Sequence, residues 1–464
     1  MRLPARTFVY TARLLAGLVP LSLVIAATVN GKPGPVSPTV PIPVPSPRGH
    51  HVNQNPLPAP TPVPANGNKN GNGDKYPETG PVMTLGECIA VALERQPSLK
   101  AVKSSTQATE AGYRALTNFG TVGTIISPDL EIRKQQAKRG LMATSAEYQK
   151  LHNEVVQDVT RLYYTAVYAK QQQQLAEGVV LQLDLLVTGG EAFLKNTKDV
   201  KDLEGFNTIK LLMMKNGLFE ARKLYVNAGL GRQKALAGLR EVMGVDARTF
   251  PFQIADKQLP VMKQNVPLTK DRVVELALER RPELVLASAG VDAFRLEVYA
   301  QGKIPFRRVV PTLASGADIH AKEIPAPNRG SEYRPGGILP EMPTQLIGSK
   351  YDRVCRAMAF AQRAEAVYEK ARNLIIVEAE GTFYDFDLAS DRLTISKQQY
   401  ESSKDLQQRA RETDTKAKDQ LVQAEVVAAK AQSDYVLAVQ EYLLALAALE
   451  RVTAGGIRPD FPGR

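Results

Sequence analysis

The sequence has little of the residue types on which most enzymes and metalloproteins depend. Among 464 residues there is no tryptophan, and aromatic residues make up 6%, although aromatics dominate typical cores and interfaces. The two cysteines, Cys88 and Cys355, are too few for a disulfide framework or a four-ligand zinc site. Four histidines leave little room for metal or acid–base chemistry, and no phosphate loop, catalytic-triad signature or HExxH motif occurs. We therefore expect no enzyme, no metal site and no cofactor.

The formal net charge is +11, from 59 basic and 48 acidic residues. The basic residues are spread along the chain among acids, whereas a nucleic-acid surface needs them clustered. We interpret most of this charge as solvated helix faces and expect no nucleic-acid partner.

The N-terminus has the pattern of an export signal. Three arginines precede an apolar run at 14–29, which is shorter than the ~20 residues of a membrane-spanning helix and ends in small residues. This predicts a signal peptide over residues 1–27, with an uncleaved anchor as the alternative. The following segment, 28–82, holds 12 prolines between Pro33 and Pro64 and then the run NGNKNGNG. Such composition is typical of an extended and flexible linker.

The remainder of the chain contains an internal repeat. ALERQPSL at 92–99 and ALERRPEL at 277–284 share six of eight positions at an offset of 185. Later matches fall at offsets of 220 and 210, so the second half carries 35 extra residues between its first and second helices. We place the first repeat at 83–245, a connector at 246–267, the second repeat at 268–456 and a tail at 457–464.

Each half contains one very long proline-free segment, at 133–195 and at 349–412. A helix of some 62 residues spans roughly 90 Å, far beyond what a globular domain needs. Shorter helices predicted at 85–117, 200–242, 271–302 and 419–454 would lie in stacked pairs beside the long ones. Apolar or small residues in the second long segment recur at steps of three and four, which indicates a coiled-coil seam: Val354, Met358, Ala361, Ala364, Val367, Ala371, Leu374, Val377, Gly381, Tyr384 and Leu388.

With its signal peptide, its duplicated T-L-x(n)-A-L-E-R-x-P-x-L opening, its long helices and its closing EYLLALAALERVTAGG, the sequence resembles the TolC-type outer-membrane efflux protein family. The likeness covers about residues 83–456. It implies a mainly α fold, in which long antiparallel helical hairpins from two repeats form a trimeric α-barrel with a small β portion at the outer membrane. It also implies a homotrimer whose mass lies mostly in the periplasm, loaded by a periplasmic adaptor and an inner-membrane pump.

Two stretches depart from the family pattern at the membrane. Family repeats carry two strands between the first and second helices, and a spanning strand needs ~9–11 residues. The first half offers only Asn118–Ile132, which is too short for two strands and a turn. The second half offers Ile304–Gly348, which is long enough but contains Pro335, Pro340 and Pro343, and proline is poorly tolerated in strand ladders. We therefore expect a reduced barrel.

The turns at the periplasmic tip, KNTKDVKD at 195–202 and ETDTKAKD at 412–419, lack the Val-Gly-Leu-type turn where adaptors of the family dock. Their acids would repeat around a trimer, and carboxylate rings in pores favour cations; the alternative is ordinary helix-end charge. The candidate pore or docking residues are Asp199, Asp202, Asp414 and Asp419.

Basic residues flank both inter-helix stretches. In the family's architecture they would lie at the membrane boundary, where they can meet anionic headgroups; a solvated face is the alternative. These candidates are Arg133, Lys134, Lys138, Arg139, Lys303, Arg307 and Arg308.

Two functions remain open. The first is a passive outer-membrane conduit of an efflux or secretion system, which exports small molecules through a trimeric helical tunnel. The second is an exported periplasmic scaffold or partner-binding protein of the same ancestry with a reduced barrel.

Overall fold

The structure, a computed structural model, describes residues 80–118, 128–196, 208–246, 248, 250–262, 268–304, 349–412 and 418–457. The predicted signal peptide, nearly all of the linker and most of the tail lie outside these residues. Within the described residues the chain forms two short strands and eight helices: β1 (Val82–Met83), α1 (Leu85–Arg95), α2 (Pro97–Asn118), α3 (Leu130–Asn196), α4 (Thr208–Met243), β2 (Gln253–Ile254), α5 (Lys270–Arg280), α6 (Pro282–Lys303), α7 (Lys350–Glu412) and α8 (Lys418–Val452). The prediction of a mainly α fold is confirmed.

The two halves have matching helices. The opening helices α1 and α5 have 11 residues each, and α2 and α6 have 22 each. The long helices α3 and α7 have 67 and 63 residues, which correspond to roughly 100 and 95 Å. The intervals before the long helices differ: α2 ends at Asn118 and α3 begins at Leu130, whereas α6 ends at Lys303 and α7 begins only at Lys350. The second half is therefore the longer one at the place that the repeat offsets predict.

The predicted helices at 85–117 and 271–302 are each broken in two, which corrects the sequence expectation of continuous helices. The break falls on the repeated motif itself. Gln96 and Arg281 precede a proline and take extended ψ angles of 120° and 126°, because proline disfavours the helical conformation in the residue before it. Pro97 and Pro282 then start α2 and α6, where a missing N–H costs nothing.

The long helix of each half is the axis against which the shorter helices pack. Helix α3 contacts α1, α2 and α4, whereas α7 contacts α5, α6 and α8. Helix α3 also contacts α6 and α8, and so joins the two halves. The largest apolar cluster surrounds Tyr163 and Tyr164 of α3 together with Leu236, Leu239 and Leu443. A second cluster joins α5, α7 and α8 around Ile375, Phe386 and Leu446.

The predicted seam of α7 divides into two faces. Ala361, Ala364 and Ala371 are buried as predicted, but Val377 and Tyr384 are 66% and 56% exposed. The intramolecular face continues instead through Ile375, Ala379, Phe386 and Ala389. At about 100° per residue, Val377 and Tyr384 lie on the side of α7 opposite Ile375 and Phe386. The predicted series of steps of three and four passes from one of these faces to the other.

Strands β1 and β2 form a parallel pair with Val82 opposite Gln253 and Met83 opposite Ile254. The chain enters β1 through Gly80, whose φ is +105° and at which a Cβ would overlap the Pro251 carbonyl oxygen. The position therefore requires glycine. The described part of the chain begins at this residue.

The last helix of each half ends in the same hydrogen-bonded cap. In α4, Val245 N donates to Arg240 O and Gly244 N to Glu241 O, both at 3.0 Å. In the second half, Gly455 N donates to Glu450 O at 2.7 Å and Ala454 N to Arg451 O at 3.1 Å. Both are Schellman motifs, and their left-handed residues, Gly244 (φ +66°) and Ala454 (φ +47°), stand at the repeat offset that relates the ends of the two halves.

The two caps allow a matched pair of substitutions at their left-handed residues. We expect Ala454→Gly to raise the free energy of unfolding by about 0.5–1 kcal/mol, because a residue with a Cβ is strained in the left-handed region. We expect Gly244→Ala to lower it by at least ~1–2 kcal/mol, since its Cβ would also lie 2.9 Å from the Arg95 carbonyl oxygen. Urea unfolding followed by circular dichroism measures both, and a destabilised Ala454→Gly variant would contradict the interpretation.

Candidate functional site

The predicted tip acids fall at the edge of the described chain. Asp199, Asp202 and Asp414 lie outside the described residues. Asp419 lies in the first turn of α8, but its side chain is not among those described. Their role as a pore or docking ring stays a prediction.

The predicted membrane-boundary residues have different environments. Arg133 is buried, Lys134 lies 3.5 Å from Glu131, and Arg139 lies 3.2 Å from Asp292. The side chains of Lys138 and Lys303 are exposed. Arg307 and Arg308 lie outside the described residues. Any contact with headgroups therefore falls to the exposed members of this set, because the Arg133 guanidinium faces the protein interior.

Arg133 belongs to a buried ionic cluster near the start of α3. Its Nε donates to Asp129 Oδ2 at 2.9 Å, and its Nη1 and Nη2 both reach the Glu297 carboxylate of α6, the latter at 3.2 Å. Gln136 Nε2 donates to Glu297 Oε2 and to the Ala293 carbonyl, both at 2.9 Å. Both oxygens of the Glu297 carboxylate are thus hydrogen-bonded.

The same cluster extends to the first turn of α7. Gln301 Nε2 donates to Glu297 Oε1 at 2.6 Å, and Arg353 Nε donates to Gln301 Oε1 at 3.0 Å. Arg353 Nη2 also donates to the Ile304 carbonyl at 2.8 Å, just beyond the end of α6. The start of α3, the end of α6 and the start of α7 are therefore tied together where the 119–127 and 305–348 segments join the helices.

The charges of Arg133 and Glu297 stabilise each other. Burial alone would raise the pKa of Glu297, but the Arg133 guanidinium outweighs it and lowers that pKa below its usual range. Burial likewise opposes the charge of Arg133, yet Glu297 and Asp129 raise the pKa of the guanidinium. Two arginines face two carboxylates, so the cluster has no net formal charge.

Sequence reasoning singled out Arg133 but missed Glu297, Gln301 and Arg353. One signal was present: Arg133 and Arg353 stand at the offset of 220 that relates the two long helices. The equivalent arginines of the two repeats thus meet in one cluster. Glu297 had no comparable signal, because the repeat places Gly112 at its equivalent position.

A second ionic cluster fixes the helix break of the second half. Arg281 Nη2 lies 2.7 Å from Glu283 Oε1, and Glu378 of α7 pairs with both Arg281 and Arg451. Burial opposes the charge of Glu378, but Arg281 and Arg451 outweigh it and lower its pKa. In the first half, Gln96 and Glu241 stand at the positions equivalent to Arg281 and Arg451. There Arg95 lies over the Phe250 ring at 5.1 Å and Arg240 over the Phe252 ring at 5.7 Å.

Two apolar stripes of the described chain face solvent. Helix α4 exposes one at steps of seven, seven and four, and α7 exposes one at steps of seven, four and seven. The two sets, each between 47% and 66% exposed, are Leu212, Phe219, Val226 and Leu230, and Val377, Tyr384, Leu388 and Ile395. Such spacing is typical of helix–helix seams, and contiguous apolar surface marks an interaction site.

Groupings of the chemically reactive residues are sparse in the described part of the chain. No three His, Cys, Asp or Glu side chains there are arranged to hold a metal ion. Burial raises the pKa of the Cys88 thiol to about 12, so this cysteine is not a reactive thiolate at neutral pH. Among the helices of these residues, none combines the length and the hydropathy of a transmembrane span.

Comparison with solved structures identifies the fold. The Neisseria gonorrhoeae MtrE outer-membrane channel in its open state aligns over 81% of this chain and 90% of its own, with 16% identity and a TM-score of 0.59. The chain has the TolC-type outer-membrane channel fold. The outer-membrane protein VceC from Vibrio cholerae aligns over 81% and 97% (14% identity, TM-score 0.55), and the Campylobacter jejuni CmeC outer-membrane channel over 82% and 87% (11%, 0.52).

Sequence comparisons gave no match, either to a protein-family profile or to a curated protein. At 11–16% identity the TolC-type likeness is one of fold. The organisation of helices, and not a set of shared side chains, carries it.

The buried cluster predicts a large effect for one carboxylate. We expect Glu297→Ala to lower the free energy of unfolding by about 3–5 kcal/mol, because it leaves a buried guanidinium short of its partner. The control is Glu365→Ala, which removes an exposed pair with Arg295 at 2.8 Å and should cost about 0–1 kcal/mol. Urea titrations compare them, and equal losses would contradict the assignment.

The two ionic clusters together predict a dependence on acid. The pKa values of Glu283, Glu297 and Glu378 are all lowered in the fold, so their stabilisation is present above the unfolded value of about 4.3 and is lost as pH falls below it. The urea midpoint should fall from pH 5 toward pH 2. Glu297→Gln, which cannot ionise, should show a shallower fall, and an unchanged slope would refute its part in the effect.

Proposed function

We propose that the protein is a passive outer-membrane conduit of an efflux or secretion system, assembled as a homotrimer with most of its mass in the periplasm. Small molecules would leave through the helical tunnel. The outer-membrane channels MtrE and CmeC, which align over 81% and 82% of this chain, support this proposal. An energy source would belong to a separate inner-membrane pump, joined through a periplasmic adaptor.

The observation that carries the trimer is the pair of exposed stripes on α4 and α7. Each runs along about 27 Å of helix, and each belongs to a different half of the chain. Packing the α4 stripe of one copy near the α7 stripe of the next would cover both. A head-to-tail contact of this kind forms a ring when the rotation between copies closes, and we propose closure after three copies. The tip acids and the exposed basic residues would then each occur three times around the tunnel.

A second candidate, a periplasmic scaffold or partner-binding tube, rests on the interval between α2 and α3. Helix α2 ends at Asn118 and α3 begins at Leu130, earlier than the predicted start at Arg133. One spanning strand alone needs ~9–11 residues, so two such strands and a turn do not fit between these helices. This interval favours a reduced membrane portion. In that case the helical body would be the part that binds partners.

The trimer is tested by light scattering of the purified mature protein. We expect a trimeric mass for the wild type and a shift toward monomer for the double variant Leu388→Asp/Ile395→Asp, because buried carboxylates would meet no partner in the seam. Thr394→Asp, an exposed neighbour to one side of the α7 stripe, is the control and should stay trimeric. A monomeric wild type would end the conduit proposal.

An alkaline-carbonate wash of isolated outer membranes separates the two candidates. Retention of the protein in the membrane pellet is expected for the conduit, because an integral portion resists the wash. Release into the supernatant, with the trimer intact, would favour the periplasmic scaffold.

A further inference from the structure

A polar cavity that is open to solvent on one side lies in the helical body, away from both ionic clusters. It has a volume of about 430 Å³ and is bounded by α3, α7 and α8 and by the connector before α5. Six of its lining residues are glutamines: Gln171, Gln174, Gln182, Gln258, Gln407 and Gln432. Two of them come from a run of four consecutive glutamines in α3, at 171–174.

Two glutamines of this run bond other helices, and the other two line the cavity. Gln172 bonds Ser433 Oγ at 2.8 Å, and Gln173 accepts from Arg232 at 3.4 Å, so these two tie α3 to α8 and α4. Gln171 uses its Oε1 to accept from Leu259 N at 3.1 Å. The side chains of Gln174, Gln182 and Gln258 are exposed and that of Gln432 is half-buried, and all four line the cavity.

The cavity wall carries no net formal charge. Its charged lining residues are Lys404 and Glu425, one of each sign. Glu425 is already held by Arg411 Nη2 at 2.6 Å and by Gln407 Nε2 at 2.8 Å. Lys404 is exposed, so its charge stays solvated and contributes little inside the cavity. The rest of the wall is neutral, which favours a neutral ligand over one whose charge must be desolvated.

The wall also has a flat apolar part. Tyr400 stacks on Tyr435 with ring centroids 5.6 Å apart and planes 4° from parallel, and Tyr400 lines the cavity next to Leu175 and Val436. Each primary amide offers two donors and one acceptor oxygen. Hydroxyl groups, which both donate and accept, complement such amides, and the C–H face of a sugar ring complements an aromatic or aliphatic wall.

We infer that this cavity, lined by Gln174, Gln432 and Tyr400, is a binding site for a neutral saccharide of about two rings. The volume falls in the range of small-molecule pockets, ~300–1,000 Å³. The site does not depend on transport, because the wall belongs to one chain.

The test is binding of neutral disaccharides, cellobiose and N,N′-diacetylchitobiose, to the purified protein, by saturation-transfer NMR and calorimetry. We expect saturable binding with a Kd on the order of 1 mM. Gln174→Leu and Gln432→Leu should each weaken it about tenfold, because a sugar hydroxyl then loses its partner. Glucuronic acid, which is charged, should bind more weakly than the neutral sugars.

Gln107→Leu, at an exposed glutamine of α2 outside the cavity, is the matched control and should leave binding unchanged. Helicity by circular dichroism confirms that each variant is folded. Absence of saturable binding to the wild type would overturn the site. So would equal binding by the wild type and both cavity variants, or a loss of binding that Gln107→Leu reproduces.

Discussion

A helix of roughly 100 Å cannot bury itself, and this constraint organises the molecule. Shorter helices pack along each long helix. Breaks at Pro97 and Pro282 divide the opening helix of each half into two segments, and both segments pack in this way. The opposite side of α7 remains apolar and exposed at Val377, Tyr384 and Leu388. An amphipathic helix of this length with two apolar faces needs partners on both, and a single chain supplies only one set.

The repeat provides equivalent positions that the two halves use differently. The helix break of the second half is held by Arg281, Glu378 and Arg451. The first half has Gln96 and Glu241 at the positions of Arg281 and Arg451, and Arg95 beside its break lies over the Phe250 ring instead. The left-handed cap residue is Gly244 in one half and Ala454 in the other. The shared backbone geometry therefore survives changes of chemistry, because the packing of helices and not any one pair of side chains defines it.

Much of the helical framework could be predicted from the sequence, because periodicity and the absence of proline act locally. The predicted starts of the long helices lie close to the observed ones. The repeat offset of 220 also relates Arg133 to Arg353, which meet in one cluster through Glu297 and Gln301. The helix breaks were missed, although the prolines that cause them are in the repeated motif. The sequence analysis treated the two stripes of α7 as one seam. A spacing of three and four does not distinguish a face that packs against helices of the same chain from a face that is exposed. The ion pair of Glu297 with Arg133 and the glutamine-lined cavity both arise from tertiary contacts between residues far apart in sequence. A local sequence pattern does not predict such contacts.

The ionic cluster at Arg133, Glu297 and Arg353 bears on how the lengths of the segments between the helices can vary. It holds the start of α3, the end of α6 and the start of α7 together, and its charges balance. The connecting segments therefore join the helices at fixed points. Between such points the cost of closing a loop rises only slowly with its length. The short interval between α2 and α3 and the much longer one between α6 and α7 can thus coexist in one molecule. A change in the length of either segment would thus leave the three anchored helix ends in place.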